Sequence, residues 1–228
     1  MPSVSVSVPQ KDQVVPADKA ADLEIKWKTS SWKLEGGKTV RLVLDDRASL
    51  SVSDPAQRVH LKDIDPSPAA VAPGAHLLVA FVCLPSGECV KPVGKRVPAA
   101  VVPFYVGQRT ARTWKDGAPL LVWAGPPPGP APPEGILVDF YVLYAELGDR
   151  KYSVHAAVTG PNVMTGEAIH AWQPWRIKGA QPGAWTVRLE LFHFEHELGQ
   201  SGSTTTVVMA PKLVEGPWSS VTRDFTVP

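Results

Sequence analysis

Cysteine is scarce in this chain: two residues, Cys83 and Cys89, among 228. Two thiols are too few for a structural zinc site of the usual four ligands. Charge of one sign is missing as well, since 23 Lys and Arg face 22 Asp and Glu for a net charge of +1. Such a balance offers no basic footprint for nucleic acid or an acidic membrane surface. No apolar run reaches about 18 residues, so no helix is expected to cross a membrane. The N-terminal "MPSVSVSVPQKDQVVPADKAAD" lacks a basic stretch followed by an apolar core. The chain therefore reads as one from which any export leader has been removed.

Catalytic signatures are also wanting. The sequence contains no Gly-x-Ser-x-Gly elbow, no phosphate-binding loop and no His-Glu-x-x-His. The short Gly36-Gly37-Lys38 has no glycine-rich loop upstream and falls between strand patterns. The expectation is a protein that is not an enzyme and takes no cofactor.

What the chain has in quantity is proline, 24 residues, and glycine, 18. Both punctuate short alternating segments. "SVSVSV" (3–8), "LEIKWK" (23–28), "TVRLVLD" (39–45), "HLLVAFV" (76–82) and "AVVPFYV" (100–106) form a first series. "PLLVWA" (119–124), "ILVDFYVLYA" (136–145), "YSVHAAV" (152–158), "WTVRLELF" (185–192), "TTTVVMA" (204–210) and "TRDFTV" (222–227) form a second. Period-two alternation rich in Val, Thr and aromatics indicates strands. Only residues 14–22 leave room for a helix. The fold class is therefore all-β.

The two series also parallel each other. "APGAHLLVAF" (72–81) aligns with "QPGAWTVRLEL" (181–191), "VPFYV" (102–106) with "RDFTV" (223–227), and "TVRLVLDD" (39–46) with "YSVHAAVTG" (152–160). Two copies of one antiparallel, immunoglobulin-like β-sandwich account for this order. We place the boundary between residues 1–112 and 113–228. The proline-rich "GPPPGPAPPEG" (125–135) then forms a stiff loop within or at the start of the second domain, because proline lacks the amide donor a sheet interior needs.

Cys83 and Cys89 flank a Pro-Ser-Gly-Glu turn in "FVCLPSGECVK" (81–91). At the base of a hairpin their Cβ atoms would stand about 4.5–5.5 Å apart, within reach of a disulfide. A disulfide is the favoured reading, against two reduced thiols or metal and redox chemistry. It would mark an oxidising compartment.

"FHFEHE" (192–197) is the most tempting chemical motif. On a strand, His193, Glu195 and Glu197 share a face, while His196 points the other way. His193 and Glu195 are the candidate metal ligands, with His155 or His170 in support. A solvent-facing hairpin edge guarded by charge is the plainer reading. The acidic set Asp45, Asp46, Asp54, Asp63 and Asp65 reads as turn residues rather than a calcium site, since Asp-Pro occurs twice among them. Among eight tryptophans, Trp27 and Trp185 alternate with apolar neighbours and belong to cores. Trp114, Trp175 and Trp218, with Arg176, are the candidates for a ligand or partner surface, Trp114 and Trp218 as exposed contacts.

The segments "LVDFYVLYAELGDRKYSV", "WQPWRIKGAQPGAWTVRLEL" and "VEGPWSSVTRDFTV" together resemble an uncharacterised group of bacterial envelope proteins, often of lipoprotein type. Those proteins carry tandem immunoglobulin- or fibronectin-III-like sandwiches. The first half is similar more loosely, through "PGAHLLVAF", "GECVK" and "VVPFYVG". The inserted "FHFEHELGQSGSTTTVVMAPK" and the proline run depart from the pattern. The resemblance implies a non-catalytic binding or scaffolding protein, periplasmic or at the cell surface, whose partner is an envelope protein or glycan. A carbohydrate-binding module using exposed Trp is the alternative, and a metal-binding envelope protein using the His193 region the second. Sequence leaves the oligomeric state open.

Overall fold

A computed structural model of the chain describes residues 1–93, 97–127, 129–131, 135–201 and 204–228; for 196–201 and 204–209 the description stops at the backbone. The chain divides into two compact units, Met1–Thr113 with Ala124–Pro127, and Trp114–Trp123 with Pro128–Pro228. In both, strands far outweigh helix. Among the described residues no helix is long and apolar enough to cross a membrane.

Unit 1 begins with β1 (Ser3–Val8) and β2 (Val14–Val15). A single helical turn, α1 (Ala17–Ala20), leads to β3 (Lys26–Ser30), β4 (Thr39–Leu44) and β5 (Ala48–Val52). Then come the one-turn helix α2 (Leu61–Ile64), a 3₁₀ turn at Pro68–Val71, β6 (Gly74–Cys83) and β7 (Ala99–Val106). Residues 14–22, the one stretch that leaves room for a helix, hold only a single helical turn. Val14 and Val15 instead pair in parallel with Tyr105 and Val106, a tertiary contact that outweighs weak local propensity. The sheet order is β2-β7-β6-β4-β5, with β1-β3 as a separate pair. Val4 of β1 and Ile25 before β3 join Leu42, Leu78, Phe104 and Val106 in one core. Trp27 packs against that core half-buried.

The acidic residues of this unit shape turns. Asp54 accepts the Ala56 amide at 2.8 Å and Asp65 the Ser67 amide at 2.9 Å. Asp63 accepts the His60 amide at 2.7 Å, closing the N-terminus of α2.

Unit 2 opens with β8 (Leu120–Trp123), β9 (Gly129–Pro130), β10 (Ile136–Val138) and β11 (Phe140–Leu143). The antiparallel hairpin β12 (Tyr152–Gly160) and β13 (Val163–Ile169) follows, then β14 (Trp175–Ile177). The chain ends with β15 (Gly183–Ser201), β16 (Thr204–Leu213) and β17 (Ser220–Val227). The large sheet runs β13-β12-β15-β17-β9, while β11 pairs β8 and β10 pairs β14. One long apolar run, "ILVDFYVLYA", therefore serves two sheets rather than forming one strand. Asp139, 1% exposed, stands at the switch and accepts the amide of its neighbour Phe140 at 2.9 Å. Val138 and Phe140 on either side join Trp123, Trp185, Val187 and Phe225 in the core of this unit.

The large sheets of the two units have matching connectivity. In unit 1, the hairpin β4-β5 lies antiparallel to β6, then β7 antiparallel and β2 parallel. In unit 2, the hairpin β12-β13 lies antiparallel to β15, then β17 antiparallel and β9 parallel. Each central strand enters after a Pro-Gly step, with Gly74 at φ 142° and Gly183 at φ 134°. Both values fall where a Cβ is disfavoured, which explains glycine at each start.

Packing in unit 2 sets a further requirement at Gly160. A Cβ built there would come within 2.4 Å of the Trp185 indole. That indole is buried and fixed by its Nε1 hydrogen bond to the Gln181 carbonyl at 2.8 Å. Gly160→Ala should therefore overpack the site and destabilise the fold by about 1–3 kcal/mol. Urea denaturation checks this: the midpoint falls for G160A, whereas an unchanged midpoint would contradict the packing.

Candidate functional site

In unit 1 the candidate centre is the loop closed by Cys83 and Cys89. The two residues are joined by a disulfide, six positions apart in sequence, with Cα atoms 3.9 Å apart. They face each other across an antiparallel bridge at the end of β6. The Leu84 amide donates to the Glu88 carbonyl at 2.8 Å and the Val90 amide to Val82 at 2.9 Å. The cysteines thus occupy the pair between two ladder hydrogen bonds, where side chains come closest. Both are buried. Beside them lies Arg41 of β4, 5% exposed. Its guanidinium donates to the carbonyls of Gly87 at 3.3 Å and of Ala124, and to Ser51 Oγ at 3.2 Å. A buried cation is tolerable only when its donors are satisfied, so this loop and the Ala124–Pro127 segment are held in register around it.

A second buried charge lies on the same sheet. His76 Nδ1 stands 2.7 Å from Asp45 Oδ2, and Nε2 stands 2.7 Å from the Ala72 carbonyl. Two acceptors require both ring nitrogens to donate, so the imidazolium is the form that fits. Its ring stacks on Phe104 at 5.4 Å. Burial pulls the His76 pKa down, but the hydrogen bond and charge of Asp45 outweigh it, and the net shift is upward.

In unit 2, His193 and Glu195 do meet. His193 Nε2 lies 2.8 Å from Glu195 Oε1, and Lys212 Nζ lies 3.3 Å from Glu195 Oε2. The Lys212 hydrogen bond, then that of His193, holds the Glu195 carboxyl below its usual range. Tyr152, opposite His193 on β12, packs edge-on to the imidazole at 6.0 Å. With Lys151, Glu146 and Phe194 these residues line a depression of about 360 Å³. Lys151 and Glu146 are paired at 2.9 Å.

The supporting histidines are not there. The His155 ring stacks on Phe192 at 4.0 Å and His170 lies 6.3 Å from Phe194. Phe192 and Phe194 alternate with His193 along β15, so these two histidines occupy the opposite face of the sheet. Burial lowers the His155 pKa and His170 adds to the effect, against Glu190. Among the described residues no three His, Cys, Asp or Glu side chains gather as a metal site. The side chains of His196 and Glu197 lie outside the described residues.

The tryptophan candidates are largely packed. Trp218, expected as an exposed contact, is 8% exposed. Its ring meets Trp114 edge-on at 6.0 Å, and its carbonyl accepts the Leu121 amide at 2.7 Å, which draws it into the unit. Trp114 is half-buried in the same pair. Trp175 lies opposite Val138 in the β10-β14 ladder and packs half-buried on the core. Arg176 beside it donates to the Gly135 carbonyl at 3.1 Å. The six candidates fall in three places, the Trp114–Trp218 pair, Trp175 with Arg176, and His193 with Glu195. Spacing along the chain does not announce these groupings. Sequence reading missed Arg41 and His76; an Arg and a His within otherwise apolar strand patterns were the available signal.

No family model matches the chain, and no curated protein matches it. Among solved structures, one from Corynebacterium diphtheriae, described as a candidate membrane-anchored protein, aligns over 99% of this chain at 10% identity and a TM-score of 0.24. The chain spans 58% of the length of that protein.

The His76 site generates a pH dependence with a definite sign. Its folded-state pKa lies above the ordinary value of about 6.5. The stabilisation is therefore complete below that value and is lost as pH rises through the raised one. Urea midpoints measured between pH 6 and 9 should decline across this window for the native chain. His76→Gln, which cannot ionise, should flatten that decline; an identical slope in both proteins would refute the assignment.

Proposed function

We propose that the chain is a non-catalytic binding or scaffolding protein of the bacterial cell envelope, made of two tandem immunoglobulin-like β-sandwiches. In this reading residues 1–112 and 113–228 are copies of one domain, and they act through strand edges and sheet faces. Support for the duplication comes from the matching order of the two large sheets, down to the parallel edge strand in each. Support for immunoglobulin-like character comes from antiparallel sheets around one core in units of about 100 residues.

The Cys83–Cys89 disulfide carries the location. Such bonds persist in oxidising compartments and are kept reduced in the bacterial cytosol. We therefore assign the protein to the periplasm or cell surface. The partner is an envelope protein, engaged by strand addition or face packing rather than by a cofactor-bearing cleft. His193, Glu195 and Lys212 already satisfy one another at the mouth of the β15-β16 hairpin. That arrangement suits a solvated edge better than a ligand centre.

Thiol titration of the unreduced protein, denatured to expose both residues, tests the assignment. The expected count is zero free thiols, rising to two after reduction. Two free thiols in protein taken from its native compartment would remove the support for an extracytoplasmic location.

A further inference from the structure

The six-stranded sheet of unit 2 ends on β13, and among the described residues no strand pairs with its outer side. Six of its seven residues, Val163 to Ala168, are exposed, so it is uncovered on both faces as well as along its edge. Met164 is 84% exposed and Val163 41%. Its sequence, Val-Met-Thr-Gly-Glu-Ala-Ile, contains neither the lysine nor the proline that commonly blunts an edge strand.

Backbone parity decides what this edge can accept. Gly160 pairs with Val163 across the two-residue turn Pro161-Asn162. A two-residue hairpin closes on a hydrogen-bonded pair, so Val163, Thr165, Glu167 and Ile169 direct their amides and carbonyls to β12. Met164, Gly166 and Ala168 direct theirs outward. Gly166 is both the midpoint of the strand and an outward-directed residue. An antiparallel second copy centred there sets Gly166 against Gly166 and Met164 against Ala168, matching outward groups with outward groups. The flanking pairs are Thr165 with Glu167 and Val163 with Ile169.

Charge fits this register too. Glu167 is the sole ionisable residue of the strand, and it falls opposite Thr165, so no like charges stand directly opposed. Glycine at the two-fold centre leaves the hydrogen-bonded Gly166 pair free of side-chain bulk, and the closest side-chain approach falls on the two Thr165–Glu167 pairs. The two most exposed apolar side chains of β13 come to lie over Ala168 and Ile169 of the other copy.

The geometry points to β13 as a self-pairing edge, through which two copies of this chain join their unit 2 sheets antiparallel about Gly166. The interface is isologous, each copy presenting the same strand to the other. This goes beyond the envelope reading and does not depend on it. A reduced disulfide would sink that reading and leave this one standing.

Sedimentation velocity of the full chain tests it, with variants at the exposed Thr165. The native chain should shift from monomer to dimer as concentration rises through about 1–100 µM. Thr165→Glu sets a carboxylate against Glu167 at two symmetric positions and should weaken the dimer about tenfold or more. Thr165→Lys places an opposite charge there and should hold or tighten it. Circular dichroism of both variants should match the native chain, because Thr165 lies outside the core. A native chain that stays monomeric overturns the proposal and leaves the edge to a strand of another protein. A dimer that responds alike to T165E and T165K overturns it equally.

Discussion

The register of β15 governs most of what unit 2 can do. Residues Trp185, Val187, Leu189 and Leu191 fill the core, while Arg188 and Glu190 between them face out and pair at 2.6 Å. The strand then runs past the end of the core, and the inward parity continues into His193 and Glu195. With no apolar layer left to meet, these positions are polar and satisfy one another. The outward parity carries Phe192 and Phe194 to the side where His155 and His170 stand. A slip of one residue would exchange the two sets entirely. Core, depression and histidine placement are therefore consequences of a single alignment.

How much of this was legible depended on distance along the chain. The all-β class followed from alternation within each segment, and the cysteine bridge from two residues flanking one turn. Local geometry decides both. Burial of Trp218 depends on Trp114 and on the β8 backbone, about a hundred positions away, and no periodicity in "GPWSS" announces it. The break at Asp139 was equally silent, since a continuous apolar run looks the same whether it stays in one sheet or changes sheets. The histidines failed as a set because spacing on different strands says nothing about which face each strand presents. Val14 and Val15, in the one stretch that left room for a helix, pair instead with residues about ninety positions downstream.

Unit 1 buries two cationic side chains on one sheet, Arg41 on β4 and His76 on the neighbouring β6. Both are almost wholly enclosed, and both are surrounded by acceptors spaced to fit them. Such groups add little net stability, since desolvation offsets their hydrogen bonds. Their effect is on uniqueness. Arg41 fits only when the 83–89 loop closes at the right place, and His76 only when Asp45 sits in its left-handed turn at φ 52°. The disulfide then fastens covalently a loop whose position the guanidinium already selects.

The parallel strand β9 is only Gly129–Pro130, laid against Phe225 and Thr226. Its proline has no amide to offer, and its two residues are too few to template another strand. At that point on the margin the sheet is stopped, whereas β13 at the far end of the same path is open along its length. Under the pairing proposed above, a short proline-bearing strand at one end of the path and an open strand at the other favour a closed pair over an open-ended ribbon along that path.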